Sequence, residues 1–393
     1  MGAPRPLSGV TILSIEQLMA LPFGTQVLAD LGAEVIVVSG LTLPDAEGVP
    51  WRERTGRGKR QLSVKLNDPA GQALLRELVP QVDVVAENFR PGVMDRYGLG
   101  WSALQPINPR LIYASVSGYG HDDFLHSPYW NQPAYGPIGE AMSGIMNTLR
   151  ERGGSGGLNF ALGDISSAIF AAIGILAALR HRDLTGQGQY VDVAMADALL
   201  AVGELPFMRR MMQQESTGAP QLPAYPLGAF SARDGDFLLI VLNEKHWQAL
   251  CDLLGHPEWP KGEFAERSAR EAAMDTVLVP TLNAWAGSLS RNEVLDKFRE
   301  VGLAAAPVNT PDDIAVDPHF AARNMIQTIV RPGGRELKVV GNPVKLSADQ
   351  QPPGPVPIFG PGAHNRELLV ERFGLPVERY ERLVAEGVVG PEA

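Results

Sequence analysis

Short apolar runs and amphipathic stretches alternate through the first half of the chain. Gly9 to Leu13 reads as a strand, Val27, Leu28 and Leu31 mark one face of a helix, Gly32 closes it, and AEVIVV starts the next strand. The unit recurs: QLSVKL is followed by a helix opened at Asn67-Asp68-Pro69, then by the strand VDVVAEN, then by LIYASVS. Strands alternating with helices predict a mostly parallel sheet covered on both faces. LNFALGDISSAIFAAIGILAALR then predicts one long helix whose most apolar part, Ile165 to Leu179, is too short to span a bilayer and is expected to be buried on all sides.

After QYVDVAM, a helical pattern runs to about Gln214 and meets the Pro-rich linker GAPQLPAYP. Beyond it, LGAFSARDGDFLLIVL predicts a hairpin with Asp234-Gly235 at its turn, followed by helices near 245–254, 271–287 and 291–301. PGGRELKVVGNP and the cluster QPPGPVP precede a last helical stretch from about His364 to Ala385. No internal repeat is visible.

Composition narrows the class. With 393 residues, 45% hydrophobic and 20% charged, the chain has the profile of a globular protein of two or three domains. A formal charge of −10 argues against a nucleic-acid or anionic-membrane surface, while leaving room for a local basic pocket. The single cysteine, Cys251, lies beside Trp247 and Leu250 and reads as helix core. MGAPRPLSGVTIL shows no signal-peptide pattern, so a cytoplasmic location is expected, with no membrane partner.

The polar motifs exclude more than they assign. The first strand-to-helix turn, SIEQLMALP, lacks the glycine spacing of a dinucleotide site. GGSGG at 153–157 lacks the Lys-Ser/Thr of a phosphate loop and reads as a mobile loop, with a lid over a ligand as the alternative. His121 and His126 in HDDFLH are spaced i, i+5 without a third ligand group, so no metal is expected. No G-x-S-x-G elbow occurs. Asp164, behind a glycine where the apolar helix begins, has two open readings: an N-cap, or a nucleophile shielded from water.

The chain resembles the class III CoA-transferase family, which includes formyl-CoA transferase, carnitine CoA-transferase and the α-methylacyl-CoA racemases. The likeness runs through LADLGAEVIVV, GRGKRQLSVKLNDPAG, VDVVAENFRPGVMDRYGLGW, NPRLIYASVSGYG, EAMSGIM, LGDISSAIFAAIGILAAL and TGQGQYVDVAMAD, and continues in GLAAAPVNT and VGNPVKLS. The resemblance implies an α/β fold: a large doubly wound, Rossmann-like domain (1–200), a linker (201–225), a smaller α+β domain (226–325), and a segment (326–393) returning to the large domain. It also implies an interlocked homodimer, two rings threaded through each other, with each site between one subunit's large domain and its partner's small one.

By the same resemblance Asp164 is the nucleophile, an acyl-CoA and a carboxylic acid are the substrates, CoA thioester is the only coenzyme, and nothing is held permanently. Asn88, Phe89, Val93 and Arg96 match positions that hold the nucleotide of CoA, with Arg90 beside them as a phosphate partner, and Ala20 fits the loop near the pantetheine. Many relatives have Glu-Arg-Pro after the second strand where this chain has Ser39 and Gly40, and a lysine where it has Asn67. Lys59, Arg60 or an arginine of WRERTGR (Arg52, Arg54 or Arg57) is therefore expected to help neutralise the CoA phosphates. Tyr135 stands where the racemases place a histidine base, and a tyrosine with a pKa of about 10 is a poor base for an α-proton. Met19 replaces a glutamine of the oxalate-using members, which disfavours formyl/oxalate exchange and suggests a less polar or larger acid. Met19 and Tyr135 are the pocket candidates. CoA transfer leads, ahead of CoA-thioester racemisation and of a non-catalytic CoA-thioester binding protein.

Overall fold

Six parallel strands run in the order β3-β2-β1-β4-β5-β6: β1 (Thr11–Ile15), β2 (Glu34–Ser39), β3 (Arg60–Ser63), β4 (Val84–Glu87), β5 (Ile112–Ser117) and β6 (Tyr190–Ala194). The structure is a computed structural model that describes residues 5–41, 50–122, 125–151, 160–215, 227–347 and 355–391. GGSGG, the Pro-rich stretch before Leu227 and most of QPPGPVP lie outside the described residues.

The inner strands β1, β2, β4 and β5 are largely apolar because both faces of the sheet are covered. Successive side chains alternate sides. Leu13, Ile15, Ile36, Val38 and Val85 enter a core closed by α2 (Pro69–Leu78) and by the C-terminal residues Leu368, Leu369 and Tyr380. Ile12, Val35, Val84, Ala86 and Ile112 enter the opposite core, closed by α1 (Pro22–Asp30) and by the long helix that carries Ala171, Ile175 and Ala178. Local signals set the helix starts: Asp68 caps α2 by accepting the Ala70 N–H, with Pro69 as its first residue.

Four further helices shape the region around Asp164: α3 (Gly136–Met142), α4 (Ile145–Glu151), α5 (Leu162–Thr185) and α6 (Met195–Val202). Helix α7 (Glu204–Glu215) follows. The 24-residue α5 is longer than its apolar run, and among the described helices it is the one long and apolar enough to cross a membrane. Here it packs on α1 and on β5 and β6. The expectation that it is buried on all sides does not hold within one chain: Ile169, Phe170, Ile173 and Leu176 form an exposed apolar stripe at 37–54% exposure.

Residues 1–211 and 324–393 form one compact unit and 212–323 another. In the second, the β7 (Leu227–Ala232) and β8 (Gly235–Ile240) hairpin pairs with β9 (Ala304–Pro307). Its turn is Arg233-Asp234, one residue earlier than expected, because Gly235 already pairs with Ala232. Cys251 is fully buried there, and burial pushes its thiol up to about 12. In the first unit, β10 (Ile326–Val330) joins β11 (Glu336–Val340) and β12 (Val356–Pro357). The expected final helix is two pieces: a wide helical turn at Glu367–Arg372, and α8 (Val377–Ala385). Gly374, at φ 76°, and Pro376 break it.

Candidate active site

In a parallel sheet of this order the chain leaves β1 and β4 in opposite directions, and the gap at their carboxyl ends is where α/β folds receive ligands. Two loops meet there. The Asn88 side chain, just past β4, accepts the Gln17 N–H and donates to the Gln17 carbonyl, both at 2.8 Å, clamping the loop that follows β1. Glu16 anchors that loop from below, accepting from Ser14 at 2.7 Å, Thr25 at 2.6 Å and Lys59 at 2.7 Å.

These contacts revise one sequence expectation. Lys59 is fully buried and also reaches the Pro22 carbonyl at 3.0 Å. Arg57, 2% exposed, is tied to Asp30 and to the carbonyls of Arg54 and Val340. Arg60 is shared by Glu34 and Glu367. None of the three is available to a phosphate, because each is held by groups of the fold itself. Sequence spacing placed basic residues near the loop but could not show which way they face.

Arg90 and Arg96 are different. Both are exposed, and among the described residues neither guanidinium has a hydrogen bond or ion pair. Gly92, in a left-handed turn at φ 79°, bends the loop between them, with Val93 starting a short helix that ends at Arg96. Phe89 packs on the core and its N–H donates to Glu87 at 2.8 Å. Asn88 thus holds the loop through two hydrogen bonds, and Ala20 is buried at 2% exposure.

Glu87 is a group that the motif reading missed. It ends β4, receives the Ser115 hydroxyl, and lies 4.0 Å from His121 Nε2. Burial pushes its carboxyl up to about 7, against the opposing effects of Ser115, His121 and the Phe89 N–H. Burial alone would lower His121, yet its Asp192 contact at 3.4 Å and the Glu87 charge raise it overall. His126 faces away, paired with Asp122, so the two histidines do not share a site.

Asp164 sits in the first turn of α5 and is not its cap. The cap position is Ala161, in the left-handed region at φ 48° with no side-chain hydrogen bond. Such backbone is unusual for a residue with a Cβ and is found where a site demands it. The glycine before the aspartate has a definite purpose: a Cβ on Gly163 would stand 2.6 Å from the Gly136 carbonyl oxygen. A Cβ on Gly136 would in turn stand 2.4 Å from Asp164 Oδ2. Two glycine backbones thus form the wall behind the carboxylate.

Burial raises the Asp164 pKa, the nearby Glu140 carboxyl raises it further, and its own backbone N–H offsets part of the shift. The group is half-buried, open on one side. Tyr135 precedes Gly136 at the start of α3 and is 59% exposed; Met19 is half-buried in the β1 loop. Helix α1 links loop and carboxylate, since Gly24 crosses α5 so closely that a Cβ would lie 2.4 Å from the Ala168 carbonyl, one turn beyond Asp164. The arrangement offers an anionic nucleophile in a partly desolvated, glycine-walled niche, and two unpaired cations on the neighbouring loop.

Comparison with known proteins is consistent across sequence and fold. A profile of the family described as "CoA-transferase family III" matches residues 7–365. The chain is 34% identical to a succinyl-CoA--D-citramalate CoA-transferase of Chloroflexus aurantiacus, over 98% of each chain. It is 30% identical to a formyl-CoA:oxalate CoA-transferase of Streptomyces avermitilis, over 98% of this chain and 100% of that one. The crystal structure of a CAIB/BAIF family protein from Brucella suis superposes with a TM-score of 0.78 at 29% identity, covering 94% of this chain and 100% of that one.

Proposed function

Since the chain belongs to CoA-transferase family III and is a CoA-transferase, we propose that Asp164 is its covalent nucleophile and that acyl groups pass through an aspartyl anhydride. The observation that carries this reading is the Asp164 carboxylate itself, raised in proton affinity by burial and backed by Gly136 and Gly163.

The steps balance without a net proton. An Asp164 oxygen attacks the donor thioester carbonyl, the C–S bond breaks, and CoA leaves as thiolate. The thiolate returns to the aspartyl carbonyl and displaces the donor acid as a carboxylate, leaving aspartyl-CoA. The acceptor carboxylate then attacks that carbonyl, the C–S bond breaks and CoA leaves again as thiolate, giving a second anhydride; thiolate attack on the acceptor's acyl carbon releases the Asp164 carboxylate and the product thioester. An anhydride keeps the activation of the thioester, which a serine ester would lose. Backbone N–H groups in the first turn of α5 supply hydrogen bonds to each oxyanion, worth about 3 kcal/mol per donor in other enzymes. Partial desolvation strengthens them and protects the anhydride from water.

Arg90 and Arg96 hold the phosphates of CoA, with Asn88, Phe89 and Val93 beside the nucleotide and Ala20 beside the pantetheine. Succinyl-CoA, the donor named for the Chloroflexus relative, is the first donor to test, with formyl-CoA as comparison because Met19 disfavours a small polar acyl group. Hydroxylamine or borohydride trapping during turnover, read by mass spectrometry, is expected to mark the Asp164 peptide. An unmarked peptide together with an active Asp164→Ala variant overturns the reading. The working enzyme is a homodimer of threaded rings in the cytoplasm, and the exposed stripe of α5 is a face that a second copy covers.

A further inference from the structure

The Asp164 mechanism leaves a buried carboxyl group beside it unused. Glu140 is fully buried, and both of its side-chain oxygens lack a hydrogen-bond partner. Unpaired burial of a carboxyl group is costly, and a group kept in that state invites a functional explanation. Its position supplies one. Glu140 lies four residues after Gly136 on α3, hence on the same helix face, and Gly136 is the residue whose backbone abuts the Asp164 carboxylate.

Resting on the reading of Asp164 as nucleophile, we infer that Glu140 is a positioning residue for the transfer: the buried Glu140 and the half-buried Asp164 form a carboxyl pair in which Glu140 sets the proton affinity of the nucleophile. Two carboxyl groups in one poorly solvated pocket do not ionise independently. The direction of the Asp164 shift, part of which arises from Glu140, agrees with this. A more basic carboxylate is the better nucleophile toward a thioester, provided that the working pH keeps it ionised.

Other charges leave the pair isolated. Of the elements packed on α3, α4 brings Arg150, and α6 brings Asp197, whose charged neighbour is Asp192. The far end of α5 brings Arg180, His181, Arg182 and Asp183, about 24 Å along the axis from Asp164 at 1.5 Å per residue. Of the elements packed on α5, α1 brings Asp30, held by Arg57, and β6 brings Asp192, held by His121. None of these contributes to the shift of Asp164; Glu140 is the charged group that does.

The test is the pH profile of kcat/KM for the full-length enzyme and for Glu140→Gln, with hydroxylamine trapping of the Asp164 peptide in both. The expected result is trapping in both proteins and an acidic limb that moves to lower pH in the variant. A limb that stays in place, with kcat lowered equally at every pH, overturns the pairing and leaves Glu140 a structural residue. Absence of trapping in the wild-type enzyme instead overturns the Asp164 reading. Should Glu140→Gln not fold, the same profile for the near-isosteric, uncharged Glu140→Met decides: an acidic limb at lower pH than wild type supports the pair, and an unmoved limb rejects it.

Discussion

Gly136 and Asp164 are in contact such that a single added methyl group at position 136 would fall 2.4 Å from the carboxylate oxygen Oδ2. Backbone therefore defines the back of the niche, and the nucleophile has no room to retreat. In Gly136→Ala the carboxylate must rotate or α3 must shift. Displacing a reacting group by about 1 Å costs on the order of 100-fold in rate. The expected outcome is a loss of that size in kcat with the CoA KM little changed, measured by steady-state kinetics; an unaltered kcat would mean that the carboxylate does not work against that wall.

Free and committed cations respond differently. Arg90→Ala and Arg96→Ala each remove a charge that no other described residue uses. A hydrogen bond to a charged group contributes about 1.5–3 kcal/mol. The CoA KM should rise about 10- to 100-fold in each, with the melting temperature unchanged. Lys59→Met should do the reverse, because it strands the Glu16 carboxylate that the lysine pairs at 2.7 Å inside the fold. Loss of one partner of a buried ion pair costs about 3–5 kcal/mol, visible as a lower denaturation midpoint. The two assays together separate ligand contact from support of the loop.

Glu87 makes stability depend on pH. Its folded-state pKa of about 7 lies above its ordinary value of 4.5, so between those limits the folded protein binds the extra proton. Stability contributed by this group is complete below pH 4.5 and declines as pH rises toward 7, by up to ~1.4 kcal/mol per pH unit. His121, raised in the folded state, contributes in the same sense: its share is present below its ordinary value and lost as pH rises through the folded one. Glu87→Gln should therefore melt at a higher temperature than wild type at pH 8, with the gap closing by pH 5, as followed by calorimetry.

The apolar stripe on α5 also carries a prediction. Ile173 is 54% exposed in the single chain, between Ile169 and Leu176. Ile173→Asp places a charge on the face assigned to a second copy and should yield aggregated or monomeric, inactive protein in sedimentation velocity. A variant that sediments and works as wild type would show that this face is not covered.

Much of the architecture was legible because it rests on short-range rules. The short apolar runs of β1, β2, β4 and β5, Asp68-Pro69 at the start of α2, and the helix near 245–254 all follow from burial of both sheet faces, capping and helical periodicity. The sequence also carried the aspartate of LGDISS and, by resemblance, a family that the comparisons show. What it did not carry is direction. Whether Lys59 and Arg57 face a ligand or Glu16 and Asp30, whether Asp164 caps α5 or stands in its first turn, and that Gly136 and Glu140 come to lie against it were decided by tertiary packing. Apart from the cap, which Ala161 takes within the same turn, these relations join residues 24 or more positions apart, set by how helices cross a sheet. Local pattern fixes which way a strand or helix turns its apolar side, whereas a buried charge takes its partner from whatever the finished fold brings within reach.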